Sequence, residues 1–327
     1  LSSLFETYSD LDDLADALNA EGAGQRRVAV MELADYGQAA AIPLLAKVLG
    51  DPDAGVRRQA ALALGEFDGV EAAAALAVAI IDQEAQVAEA AAASMAELKD
   101  PAAAEPLLPL ASHERTFVRV SALRALKELK NPVSLPAALD ALRDEEASVR
   151  IQAVGVIGFL KMEETTPALI AAVSDADAQV RRAAINALSI FHTRKMADVI
   201  KGALRDNDWM VREAAAEALG RNIHGLALGE DLIYALDDEF WQVRLKAVRS
   251  LGQIKTTTAV AKICAALNHE QANLRKEAAA ALGEIGDGAA RAALEAASDD
   301  LDADVRKTVR WALSRLDGAR QSAQASS

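Results

Sequence analysis

Four histidines and one cysteine are the imidazole and thiol ligands that this 327-residue sequence could offer a metal. Two of the histidines precede a glutamate, at His113-Glu114 and His269-Glu270, and each such pair offers iron or zinc a nitrogen and a carboxylate. A metal centre draws four or more ligands, three of them at least from protein, to within about 2.0–2.3 Å of one ion. Neither pair has further ligands in its own turn, and each stands where an acidic turn residue is expected, so both histidines read as turn or capping residues with no metal. His192 and His224 lie in connecting stretches without a catalytic partner. Cys264, alone in the apolar run KICAALN, excludes an internal disulfide and a cysteine-only metal cluster, and reads as a buried, unreactive thiol. The sequence contains no G-x-G-x-x-G, no G-x-x-x-x-G-K-[ST], no H-E-x-x-H and no nucleophile elbow. The acid pairs Asp237-Asp238 and Asp299-Asp300 fall in turns, where solvated caps are expected. These residues point away from catalysis: no catalytic residue, metal or cofactor is assigned.

The elements that carry these residues repeat. DPDAGVRRQAALALG from Asp51 to Gly65 returns as DADAQVRRAAINALS from Asp175 and as DNDWMVREAAAEALG from Asp206. The arginine of the Val-Arg step recurs at Arg26, Arg57, Arg119, Arg150, Arg181, Arg212, Arg244, Arg275 and Arg306, with Ala88 in one slot. The spacing is 31 residues, with a single 32 between Arg212 and Arg244. A fixed period of this length marks a stacked repeat architecture. Each copy reads as two helices. A first helix such as Ile42–Leu49 or Leu135–Leu142 carries proline near its start (Pro43, Pro136, Pro167), where a missing N–H costs least. An acidic turn follows, and a second helix opens on Val-Arg with a buried stripe at the valine and four, seven, eight and eleven residues on. Asp51, Asp144, Asp175, Asp206 and Asp300, five residues before the valine or its equivalent, are expected to accept from free N–H groups of the second helix and to pair with the arginines as a ladder. Glycines nine residues after the valine or its equivalent (Gly65, Gly158, Gly220, Gly252, Gly283) are expected to let neighbouring helices approach.

The reading is an all-α solenoid of about ten two-helix repeats over residues 10–317, with a lead-in at 1–9 and a disordered polar tail at 318–327. Apolar residues make up 52% of the chain and aromatics 4%, which suits close helix packing. A net charge of −14 argues against non-specific binding to nucleic acid or anionic membrane. No apolar run is long enough to span a bilayer, and no secretory signal is visible at the start, so a cytoplasmic location is expected.

The grammar D-x-D-x-x-V-R followed by A-x-A-L-G resembles the HEAT-repeat superfamily and is most similar to the HEAT-like repeats of phycobilisome lyases. That resemblance implies an α-solenoid, and it allows a bilin lyase or a cofactor-protein maturation factor as the alternative function. Deoxyhypusine hydroxylase resembles this repeat too, but holds its irons with His-Glu pairs just after Val-Arg. The matching positions here, such as Arg58-Gln59 and Glu213-Ala214, contain no histidine.

By analogy with such repeats, the second helices line a concave groove whose charges nearly cancel. Its middle carries large apolar residues at Phe117, Val120, Ile151, Phe159, Ile190, Trp209 and Trp241, beside the cations Arg124, Arg182 and Arg221. These ten residues are the expected contact surface for a protein or peptide partner, making the chain a non-enzymatic scaffold or adaptor.

Overall fold

Alanine-rich helices too short to bury a core alone gain one by stacking, and that is how the chain is built. The computed structural model describes residues 11–221 and 228–325, and among these there is helix and turn but no strand. The chain forms two units, Leu1–Met162 and Glu163–Ser327. In the first, residues 11–17 are helical, and the first helices Ile42–Val48, Val70–Ala79, Ala104–Leu107 and Leu135–Ala141 alternate with the second helices Ala23–Tyr36, Ala54–Ala63, Ala85–Met95, Thr116–Leu129 and Ala147–Leu160. In the second unit the first helices are Thr166–Ala172, Arg194–Gly202, Gly229–Ala235, Val260–Ala266 and Arg291–Ala296. They alternate with the second helices Ala178–Leu188, Trp209–Arg221, Trp241–Gln253, Ala272–Ile285 and Ala303–Ala325. Within each unit, every second helix packs on the second helix of the next repeat. The lead-in at 1–9 and the stretch that contains His224 lie outside the described residues.

The valine that opens the pattern anchors the core. Val56, Val87, Val118 and Val149 in the first unit, and Val180, Val211, Val243 and Val305 in the second, are fully buried. Each contributes about 1.5–3 kcal/mol of apolar burial. Among the glycines expected at the helix seams, Gly65, Gly220, Gly252 and Gly283 sit where a side chain would collide. A Cβ on Gly65 would lie 2.6 Å from Ser94 Oγ, and one on Gly252 would lie 2.8 Å from the Ala281 Cα. Two serines complete this seam: Ser94 donates to the Ala61 carbonyl at 2.9 Å and Ser250 to the Ala216 carbonyl at 2.7 Å. Pro43, Pro136 and Pro167 occupy the first turns of their helices, as expected.

The arginines form the ladder, with a division of labour among the turn acids that differs from the expectation. Arg57 places Nε and Nη2 on Asp82 of the next repeat, at 2.6 and 3.1 Å, while Nη1 donates to the Asp51 carbonyl of its own turn. Arg26, Arg181, Arg212 and Arg275 repeat this fork on Asp51, Asp206, Asp238 and Asp300, and Arg119 pairs with Asp144. The same aspartates also accept the N–H two residues on, such as Asp53 onto Asp51 and Asp208 onto Asp206. They do not cap the second helix. Capping falls to the acid two positions later: Asp53, Asp177, Asp208 and Asp302 accept from the first turn. Hydrogen bonds from Arg26, Arg57 and Arg275 hold Asp51, Asp82 and Asp300 below the ordinary carboxylate range. At Asp206 and Asp238 burial pushes the other way and is outweighed by the arginine and the backbone N–H.

The missing arginine at Ala88 has a substitute. Arg115, from the following turn, donates Nη1 to the Ile81 and Asp82 carbonyls at 3.2 and 2.8 Å, the turn that a residue-88 arginine would have held. The chain end also differs from the sequence expectation. The last helix runs Ala303–Ala325, so the segment expected to be a disordered tail is helical through Ala325. Its run of Ala, Arg and Gln has the propensity to continue a helix already nucleated by Val305 and Val309.

Candidate functional site

The second helices expose one face in each unit, and the expected contact residues divide between them. In the first unit Phe117 opens the helix Thr116–Leu129 and is 40% exposed, while Phe159 near the end of Ala147–Leu160 is 44% exposed. Between them Val120 and Ile151 are half-buried at equivalent positions of adjacent repeats. Phe159 carries two cations: the Lys127 and Lys130 ammonium groups each lie 5.5 Å from its ring centroid. The Lys127 stem reaches the ring by crossing Gly155, where a Cβ would come within 3.1 Å of its Cδ. Lys130 reaches it from a left-handed helix C-cap with φ of 52°. Arg124 is exposed and lines a shallow cavity with Glu97 and Glu128. The structure thus brings Phe159 together with lysines that sequence reasoning had not singled out.

The face of the second unit is built differently. Ile190 is 39% exposed and Arg182 is half-buried. Trp209 stacks on Phe240 of the next repeat, with centroids 5.4 Å apart and planes 14° from parallel, and the Arg212 guanidinium lies 5.7 Å from the Phe240 centroid. Trp209 therefore caps a seam between repeats. Trp241 is half-buried. Arg221 pairs with Glu217 at 2.7 Å, and Glu217 also takes Lys246 at 2.7 Å. Arg249 forks onto Glu277 at 2.9 and 2.7 Å. The Glu217–Lys246 and Arg249–Glu277 pairs join the residue six after the valine of one repeat to the residue three after its equivalent in the next.

His113 and His269 are turn residues that imitate the ladder aspartates. His113 Nδ1 accepts from the Arg115 N–H at 3.1 Å, and His269 Nδ1 from the Gln271 N–H at 3.0 Å. Among the described residues no cluster of three His, Cys, Asp or Glu side chains is arranged to hold a metal. Burial raises the Cys264 thiol above its ordinary range, with Asp287 adding to the effect. No helix of the described residues is long and apolar enough to cross a membrane.

A concavity that sequence reasoning missed lies on the first-helix side of the first unit. A cavity of about 930 Å³ is lined by Leu108, Ala111, His113, Val133, Pro136 and Asp140, among others. Its cause is legible in PLLPLAS. Pro109 lacks an N–H, so the helix Ala104–Leu107 gives way to the tighter turn Leu108–Ser112.

A family model described as HEAT repeats matches residues 11–85, 75–148, 135–220 and 229–314. No curated protein matches the sequence. Among solved structures, an engineered protein is similar at 19% identity, with 94% of this chain and 99% of that one covered and a TM-score of 0.51. The Escherichia coli protein YibA is similar at 19% identity over 82% of this chain and 97% of its own, with a TM-score of 0.61. A chain from the complex of Kap95p with RanGDP is similar at 15% identity over 95% of this chain and 50% of its own, also with a TM-score of 0.61. At these identities the likeness is one of fold, and none of it singles out the phycobilisome lyases among proteins with such repeats. With the 31-residue grammar, the arginine ladder and the family match in agreement, the chain belongs to the HEAT repeat family.

Proposed function

We propose that this chain is a non-enzymatic scaffold that binds a protein or peptide along its second helices. The observation that carries the reading is Phe159, an aromatic left 44% exposed and flanked by two lysines. A ring set among cations suits a partner segment that presents an apolar side chain beside carboxylates, since truncation of such central aromatics dominates interface energetics. Phe117, Val120 and Ile151 extend the apolar surface, and Arg124 adds an exposed cation. In the second unit Arg182, Ile190 and Trp241 offer a lesser surface, while Arg221 and Trp209 are engaged within the chain. Kap95p, whose fold is similar, binds RanGDP, which is itself a protein.

A photo-crosslinking residue placed at Val120, with a control at Ala137 on the first-helix side, tests this in native extract. The expected result is one defined adduct from position 120, absent from position 137, and lost on Phe159→Ala while helicity is kept. Equal adducts from both positions, or an adduct indifferent to Phe159→Ala, would remove the assignment. The bilin-lyase alternative rests on repeat grammar, and visible absorbance in protein purified from the native source would favour it.

A further inference from the structure

Arg26, Arg57, Arg119, Arg181, Arg212 and Arg275 each end on a carboxylate, whereas Arg244 ends on a histidine. Its Nη1 holds its own turn through the Asp238 carbonyl at 2.6 Å, as every ladder arginine does. The residue opposite is His269, whose Nε2 lies 2.6 Å from Arg244 Nη2. A neutral imidazole accepts at one nitrogen only. Nδ1 of His269 already receives the Gln271 N–H, so Nε2 carries the proton and meets the guanidinium donor to donor. The other tautomer only moves the conflict to Gln271. Arg244 Nε, which elsewhere in the ladder binds a carboxylate oxygen, has no acceptor among the described residues. His113 makes the same Nδ1 contact without this conflict, because the slot opposite it holds Ala88.

The unanswered guanidinium faces a cavity of about 220 Å³ that also contains Lys262. Leu236, Val248, Ala265 and Leu274 supply its apolar lining. Asp237 pairs with Lys262 and neutralises one of the two cations, which leaves a single positive charge over an apolar floor. We infer that Arg244, Lys262 and His269 form a binding site for a carboxylate with a short aliphatic tail, which supplies the ladder acid that this repeat lacks. The carboxylate would take the fork of Arg244 and accept from Nε2–H of His269, and the tail would lie on Leu236 and Val248. A free small acid and a glutamate side chain of a partner both present this group. The site lies between the second helix Trp241–Gln253, the first helix Val260–Ala266 and their turns, and uses none of the contact residues proposed above.

The test uses the whole chain with butyrate, acetate, chloride and inorganic phosphate at matched ionic strength. Melting temperature and the Arg244 side-chain N–H resonance are followed. Butyrate should raise the melting temperature in a saturable way and shift that resonance, with acetate weaker because it has no tail. His269→Asp restores the aspartate that stands opposite the other ladder arginines named above. It should raise the melting temperature without ligand and reduce butyrate affinity by about tenfold or more. Lys262→Ala should weaken butyrate binding while leaving the unliganded melting temperature near wild type. A glutamate-containing peptide binding more tightly than butyrate would assign the slot to a partner chain, and weaker binding would assign it to a free acid. Equal responses to chloride or phosphate, or an unchanged butyrate response in His269→Asp, would overturn the site.

Discussion

The second helices present the same repeat positions in both units, yet the two faces have opposite characters. In Leu1–Met162 Phe117 and Phe159 stay exposed, and the third position after Val149, in the repeat that follows Arg124, holds the uncharged Gln152. In Glu163–Ser327 the charges close on one another through Glu217, Lys246, Arg221, Arg249 and Glu277, and Trp209 is taken up by Phe240. A charge at the sixth position after the valine is available to a partner only if the third position of the next repeat fails to complement it. A face can therefore look equally polar in composition and still differ in what it offers.

If the contrast is confined to the faces, the ladder beneath should be equally strong in both units. Arg119 and Arg212 are its two most buried arginines, 8% and 9% exposed. Arg119→Ala and Arg212→Ala should each cost about 2–3 kcal/mol in denaturant unfolding, with hydrogen exchange rising first in the unit that carries the change. A loss in one unit only would extend the contrast below the surface. The next largest effect separates anchor from packing. Phe159→Ala should weaken partner binding by about 2 kcal/mol with little change in melting temperature, whereas Trp209→Ala should lower stability, with the stack alone contributing about 1 kcal/mol. Reversal of these two outcomes would exchange the roles of the faces. A double-mutant cycle on Arg249 and Glu277 should give a coupling below about 1 kcal/mol that shrinks with salt, as expected of partly exposed pairs.

The smallest effect is the response to pH. His269 lies below its ordinary 6.5 because burial, and then the Arg244 charge, disfavour the imidazolium. The unfolded chain then takes up a proton that the folded chain refuses, so stability should decline as pH falls below about 6.5, and His269→Asp should abolish that decline. The ladder aspartates lie below 3.8 when folded, so their contribution persists above that value and is lost as pH falls through their folded range. Melting temperatures from pH 8 to 3, with and without the substitution, resolve the two stages.

The stack and the ladder were legible because each depends on one residue type in one slot. A buried valine, an arginine beside it and a glycine nine residues on recur in step with the period. What escaped depends on two slots together. Asp51 and Asp53 are chemically alike, and only the path of the chain makes one a ladder acid and the other a cap. The closure of Lys246 and Arg249 required comparison of neighbouring repeats rather than a count of charges along the face. Phe159 was visible, but Lys130 beside it was not, because its position depends on a left-handed C-cap. The expected tail failed for a related reason: polarity argues against a core, but not against a helix extended from a packed one.

Ala88 has a consequence for how the first unit comes apart. A stack of repeats behaves as a one-dimensional array, in which coupling between neighbours decides whether melting is all-or-none. Ordinary rungs couple through a forked ion pair between consecutive repeats. At Ala88 that pair is replaced by Arg115 reaching back to two neutral carbonyls, and the helices Ala85–Met95 and Thr116–Leu129 share a shorter contact than other neighbours in this unit. The junction between residues 88 and 115 is thus the weak bond of the first unit. The three repeats before it form a block able to open while the pair bearing Phe117 and Phe159 stays folded.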